Sequence, residues 1–188
     1  MPISLILAAR APLVAQPTQL ELFRSGEGGY RTYRIPALIT TRKGTRLASC
    51  EGRKNGGGDA GDIDILLRRS FDNGRTWAAV QKLADFGADT VGNPAPVIER
   101  KSGVIILLLS RNPGSTPEKK IPAGLAHVSR TVWITRSKDG PDWTWYATGP
   151  GNGIQLKSGR LIILCDHNQR GTDKLAMPTS FIAMTAAN

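Results

Sequence analysis

The residues of this 188-residue chain best placed to do chemistry fall in one stretch, Tyr33 to Trp77. Arg34 sits in Tyr33-Arg34-Ile35-Pro36. Proline cannot donate to a strand ladder and suits the first residue of a strand, so Pro36 would pin Arg34 at a strand start. An arginine held there offers a planar fork to a carboxylate, although taken alone it reads as a surface residue. Arg53 follows in Glu51-Gly52-Arg53, at the head of a loop that runs through Gly56-Gly57-Gly58 to Asp59. Three glycines free the backbone to carry one carboxylate into a cleft, and Arg53 supplies a positive charge to hold that carboxylate or a substrate oxygen. Asp62 and Asp64 follow closely, but Asp59-Ala60-Gly61-Asp62-Ile63-Asp64 lacks the alternating ligands and sixth-position glycine of a calcium loop. No metal site and no cofactor is expected.

The elements that must position these residues read as short strands. A hairpin is expected over 36–51, turning at Lys43-Gly44, and a strand over 63–70 with Ile63, Ile65 and Leu67 on one face. Leu20 and Leu22 alternate as if in a strand beginning at Thr18. Ser70-Phe71-Asp72-Asn73-Gly74-Arg75-Thr76-Trp77 fits a fastened hairpin turn. In it Ser70 and Asp72 bond backbone N–H groups, Gly74 takes positive φ and Trp77 packs under it, with Thr76 a further position of the motif. This is an Asp box, a motif that recurs in β-propellers and speaks of architecture more than chemistry. The returning strand is expected over 77–83, and a loop over 84–92. Two further hairpins are read over 95–110 and 152–166. In the first, Val104 to Leu109 is apolar on both faces, as for a strand buried between two layers. Arg111 to Ser129 reads as a loop, Thr131 to Arg136 as a strand, and the stretch after Gln169 shows no clear pattern. No helical period exceeds two turns, so the fold class is all-β: sandwich, barrel or propeller.

Composition narrows the classes of partner. A formal charge of +10 favours an anionic partner, whether nucleic acid, an acidic surface or an acidic small molecule; the alternative is a basic solvated surface with no specific partner. No nucleic-acid motif and no long Lys/Arg run is present, so nucleic acid is not expected as a partner. No apolar run is long enough to span a membrane. Cys50 and Cys165 sit in apolar, strand-like runs and read as buried free thiols. His127 and His167 have no metal-ligand spacing. Residues 1–17 read as a leader or disordered extension.

Order and spacing then carry a resemblance. Tyr33-Arg34-Ile35-Pro36, Glu51-Gly52-Arg53, Asp59 and Leu67-Arg68-Arg69-Ser70 running into an Asp box together resemble the N-terminal part of an exo-α-sialidase (neuraminidase). Asn93-Pro94-Ala95-Pro96-Val97, Ser110-Arg111-Asn112, Trp145 to Gly151 and Gly153 to Leu161 extend it. The resemblance implies a six-bladed β-propeller, of which residues 18–168 would supply about two to three blades, with 169–188 an atypical tail. It implies hydrolysis of terminal α-linked sialic acid from glycoproteins, glycolipids or oligosaccharides, and a secreted, periplasmic or cell-envelope location to suit that substrate. By the same resemblance Arg34 clamps the substrate carboxylate and Asp59 is the acid/base. Arg53 lies near the 4-position of the sugar, and Asn93, Asp166 and Asn168 are rim contacts. The family's nucleophilic tyrosine, its glutamate partner and two further arginines belong to the second half of such a propeller, so no nucleophile is assigned here. Ser137-Lys138-Asp139-Gly140 starts like a second Asp box and then departs from it, which reads as an internal deletion in a truncated chain. The alternative is a non-catalytic Asp-box propeller fragment that binds a glycan or protein, or an inactive relic.

Overall fold

The computed structural model describes residues 19–121, 130–137, 153–166 and 179–184, with backbone alone for 163–166 and 179–184. His127, His167, Asn168 and residues 138–152, which include the second Asp-box-like sequence, lie outside the described residues.

Among the described residues ten strands make three antiparallel meanders. The first is β1 (Thr32–Thr40), β2 (Arg46–Arg53), β3 (Ile63–Ser70) and β4 (Gln81–Ala84), each paired with the one before it. The second is β5 (Thr90–Ile98), β6 (Ile105–Asn112) and β7 (Thr131–Ser137). The third is β8 (Ile154–Gln155), β9 (Leu161–Asp166) and β10 (Thr179–Met184). One parallel bridge, Ile63 to Thr90, joins the first meander to the second. A single 3-10 turn, Glu118–Lys120, is the only helical element among the described residues.

Side chains alternate across each strand, so every meander presents two faces. Ile65 and Ala84 of the first pack on Val91, Leu107 and Leu109 of the second. Leu47 and Leu67 meet Ile105 in the same layer. The opposite face of β6, Ile106 and Leu108, joins Ala95 and Val97 against Leu161 of the third. The uninterrupted apolar run in β6 thus reflects burial on both faces, as for any strand with a layer on each side. Sheets stacked face to face in this way are the blades of a partial propeller.

The Asp box closes the lower end of β3 as its sequence requires. Ser70 Oγ donates to Asp72 Oδ1 at 2.8 Å and accepts the Gly74 N–H at 2.7 Å. Asp72 accepts the Thr76 N–H at 2.8 Å, and Trp77 Nε1 donates to the Gly74 carbonyl at 3.1 Å. The bonds from Thr76 come first in holding the Asp72 carboxyl far below the usual carboxylate range. Ser70 is fully buried, so Ser70→Ala leaves the Gly74 N–H without its acceptor. That change should destabilise the chain by about 1–3 kcal/mol, read as a lower urea midpoint with an unchanged m-value.

Several expectations are corrected. Residues 19–31 contain no strand. Gly26, Gly28 and Gly29 take positive φ, and the segment closes on itself through the Gly26 N–H to Tyr30 carbonyl bond at 3.0 Å. Leu20 and Leu22 alternate but have no partner strand to pair with. The returning strand shrinks to Gln81–Ala84, because the Asp-box turn holds residues 71–80 in turn and coil. β5 begins at Thr90, inside the expected loop, and β10 falls in the stretch that showed no pattern. Pro36 is not the first residue of its strand: β1 starts four residues earlier and carries Pro36 within a bulge.

Candidate functional site

That bulge is where the site begins. The β1–β2 register slips between Arg34 and Ala37, and Ile35 takes a φ of 51°. A β-branched residue at positive φ is strained, and such strain persists only where the surroundings fix it. The second meander repeats the device. The β5–β6 register slips between Gly92 and Ala95, and Asn93, also preceding a proline, takes a φ of 55°. Bulges re-aim the side chains beside them. Here they turn Arg34 and Asn93 out of the strand alternation at the same end of neighbouring sheets.

Glu51 is the centre of the arrangement. It pairs with Arg34 across the sheet and sits two residues before Arg53 on the same face of β2. Arg53 donates from Nε and Nη2 to Glu51 Oε2 at 2.9 and 2.6 Å. The other oxygen, Oε1, accepts the Asn93 backbone N–H at 2.8 Å. The Arg53 and Glu51 side chains are only 3% and 4% exposed. Burial pushes the Glu51 carboxyl upward, opposed by the Asn93 N–H and by Arg53. For Arg53, burial works against the cation and is outweighed by Glu51 and Asp59, so it stays charged. Gly92 leaves the room this needs, since a Cβ there would lie 2.6 Å from Glu51 Oε1.

The glycine loop folds over this pair. Arg53 Nη1 donates to the carbonyls of Gly57 and Gly58, each at 2.7 Å, and lies 2.8 Å from Asp59 Oδ1. Arg34 Nη1 donates to the same oxygen at 2.9 Å and to the Gly57 carbonyl at 3.0 Å. Asp59 is therefore gripped by two arginines from different strands while staying half-exposed. Burial raises its pKa, but the hydrogen bond and charge of Arg53, then the charges of Arg34 and Arg130, outweigh it and leave the carboxyl below its ordinary value.

The base of the loop is fastened separately. Lys54 Nζ reaches Asp62 at 2.7 Å and Asp64 at 3.2 Å, and the Tyr30 hydroxyl donates to Asp64 at 2.6 Å. Burial first, then the bond to Asp64, pushes the Tyr30 phenol up. Thr90 Oγ1 accepts the Gly61 N–H at 3.0 Å and donates to its carbonyl at 2.8 Å, tying the loop to β5. Asp62 and Asp64 are thus partners of a lysine. Arg130, which no motif singled out, bonds Asn112 and Glu118 and carries its charge toward Asp59.

Four of the candidate residues therefore meet: Arg34, Arg53, Asp59 and, through its backbone, Asn93. The Asn93 side chain donates to Ser110 Oγ at 3.4 Å. Asp166 ends β9, and only its backbone is described. Cys50 is a buried free thiol, its pKa raised by burial to about 12. An open, largely apolar groove of about 460 Å³ runs along the outer face of β1 and touches the site only at Arg34. Sequence reasoning gave Glu51 no role. The available signal was a carboxylate two residues from an arginine in a strand, which places both on one face.

Stacked antiparallel blades with an arginine-gripped carboxylate at one end define a propeller-type protein. No family model matches the chain. It is 33% identical over 168 residues to an exo-alpha-sialidase of Aspergillus fumigatus, covering 72% of this chain and 41% of that protein. It is 31% identical over 191 residues to a sialidase of Micromonospora viridifaciens, covering 86% and 29%. Among solved structures, the Hadza microbial sialidase Hz136 matches with a TM-score of 0.65 and 25% identity over 74% of this chain and 33% of that one. The chain belongs to the sialidase family. It spans 41% or less of the length of these relatives.

Proposed function

We propose that this chain carries the acid/base and carboxylate-binding half of an exo-α-sialidase site, acting on terminal α-linked sialic acid. The observation that supports it most is the meeting of Arg34 and Arg53 on one oxygen of Asp59. A purely structural propeller has no need to bring three charged side chains from separate segments to one half-exposed point.

The geometry suggests how substrate would change the site. Sialic acid carries a carboxylate on its anomeric carbon. That carboxylate would take the Arg34 guanidinium, which now lies on Asp59, through a charge-assisted fork. Asp59 would lose one cationic partner and gain a nearby negative charge. Both changes raise its pKa and favour the protonated form that a general acid needs. Asp59 then passes its proton to the leaving glycosidic oxygen as the C–O bond breaks, and in the second half takes a proton from the attacking water. Arg53, fixed by buried Glu51, stays to hold the loop and to face a sugar hydroxyl. A carboxylate nucleophile would be repelled by the substrate carboxylate, and sialidases use a tyrosine instead.

The test is release of a fluorescent leaving group from an α-sialoside by the purified chain, beside Arg34→Ala. Removal of the charged fork should raise KM by about tenfold to a hundredfold. Turnover that ignores Arg34→Ala would remove it from the site. If the chain gives no turnover, binding of free sialic acid, lost in Arg34→Ala, still reports the carboxylate clamp.

A further inference from the structure

The excess charge of the chain is not spread evenly. At the site end several cations face carboxylates: Lys54 meets Asp62, Arg111 meets Asp89 and Arg130 meets Glu118, while Arg31, Lys119 and Lys120 are exposed there. The opposite end gathers cations on three neighbouring turns. The β1–β2 turn carries Arg42 and Lys43, the β5–β6 turn Arg100 and Lys101, and the β8–β9 turn Lys157 and Arg160, all six exposed. The single carboxylate in these three turns, Glu99, accepts the N–H groups of Lys101 and Ser102 at 2.7 and 2.6 Å.

The three turns form one surface. Arg42 Nη1 donates to the Lys101 carbonyl at 2.8 Å, and the Arg100 N–H donates to Gln155 Oε1 at 2.8 Å. The Asp-box turn joins them through Arg46, which donates to Asn73. It adds the exposed Arg75, the Asp72 carboxylate bonded within the turn to Ser70 and Thr76, and, at its tip, Phe71, which is 73% exposed. Leu156, also exposed, opens the third turn.

We propose that this end of the molecule docks on an anionic lipid surface, with the turn cations at the head groups and Phe71 at the acyl boundary. Cations on adjacent turns add their attraction to such a surface, and the sum is steep in salt. The apolar tips favour a bilayer over a nucleic acid. A phosphate backbone gives Phe71 and Leu156 nothing to bury against, whereas the head-group boundary accepts apolar side chains ringed by basic ones. Docked this way, the chain holds the Arg34–Asp59 end away from the lipid, open to solvent.

The test is co-sedimentation of the full chain with phosphatidylcholine vesicles, with and without phosphatidylserine. The vesicles carry no sialic acid, so the outcome is independent of the sialidase reading. Binding should require phosphatidylserine and fade in high salt. The variant Arg42→Glu/Lys43→Glu/Arg100→Glu/Lys101→Glu should bind about a hundredfold more weakly or worse, and Phe71→Ser about tenfold more weakly. Lys157→Glu/Arg160→Glu, which leaves the Arg42 to Lys101 contact intact, separates lost binding from lost folding and should also weaken it. Equal binding to pure phosphatidylcholine, no binding to either vesicle, or binding unchanged in all variants overturns the proposal. Competition by duplex DNA at equal phosphate, with Phe71→Ser silent on vesicles, would assign the face to nucleic acid instead.

Discussion

On the proposed function, replacing Asp59 by asparagine should slow turnover of α-sialosides with poor leaving groups by about 10²- to 10⁴-fold, the usual worth of a positioned general acid. With an aryl leaving group, which needs little protonation, the loss should be far smaller. The contrast between the two substrates is the reading, because a merely structural Asp59 would slow both alike. The pH dependence adds a second check. In the free chain Arg53 and Arg34 hold the Asp59 carboxyl below its ordinary value. The acid form needed for kcat/KM is then lost as soon as the pH rises above that lowered value. On the proposed function, bound substrate would take Arg34 and bring its own negative charge, so the basic limb of kcat should lie at higher pH than that of kcat/KM. Superimposed limbs in the native chain, or equal losses on both substrates in Asp59→Asn, would remove Asp59 from the proton-transfer step. Stability follows the sign of the same shift. A depressed carboxyl stabilises the fold above its unfolded pKa and loses that contribution as pH falls through the folded one. The stability gap between native chain and Asp59→Asn should therefore close in acid.

Glu51→Ala should be the most damaging single change to the fold. It leaves the Arg53 guanidinium buried with no carboxylate at Nε and Nη2, and it strips the acceptor from the Asn93 N–H. Removing one partner of a buried pair costs about 3–5 kcal/mol, a large part of the roughly 5–15 kcal/mol that holds a domain together. A steep fall in the urea midpoint is expected, with Glu51→Gln intermediate because it keeps the shape and an acceptor. Glu51→Leu/Arg53→Met removes both charges and should recover much of the loss, since apolar replacement of a whole buried pair is often neutral. A midpoint that hardly moves in Glu51→Ala would mean that water reaches Arg53 and the pair is not truly buried. Because Glu51 joins β2 to the Asn93 bulge of β5, its loss should also disturb the site before the chain unfolds. Ligand binding at Arg34 would then weaken in conditions where the fold still holds.

How far the sequence went depended on whether the physics was local. The β3 strand and the Asp box were readable to the residue, since alternation, Asn73 and Gly74 at positive φ, and Ser70 and Asp72 bonding nearby amides are all settled within eight positions. The apolar run in β6 announced burial on both sides. The alternation of Leu20 and Leu22 misled, because a strand exists only with a partner, and the glycines after them close the segment on itself. β10 was invisible for the converse reason: its pairing to β9 comes from a neighbour and not from its own pattern.

The candidate site divides in the same way. The types and order of Arg34, Arg53 and Asp59 were legible, and the Gly56–Gly58 run announced a loop able to bring a carboxylate inward. Only the tertiary structure decided who partners whom. Asp62 and Asp64 turn to Lys54, Glu51 becomes the buried anchor of Arg53 and Asn93, and two strained residues before prolines aim the inner strands. Local sequence fixes the conformations a few residues can reach by themselves. Charge partners, burial and bulge register are properties of segments brought together from across the chain, and they exist only once the sheets have stacked.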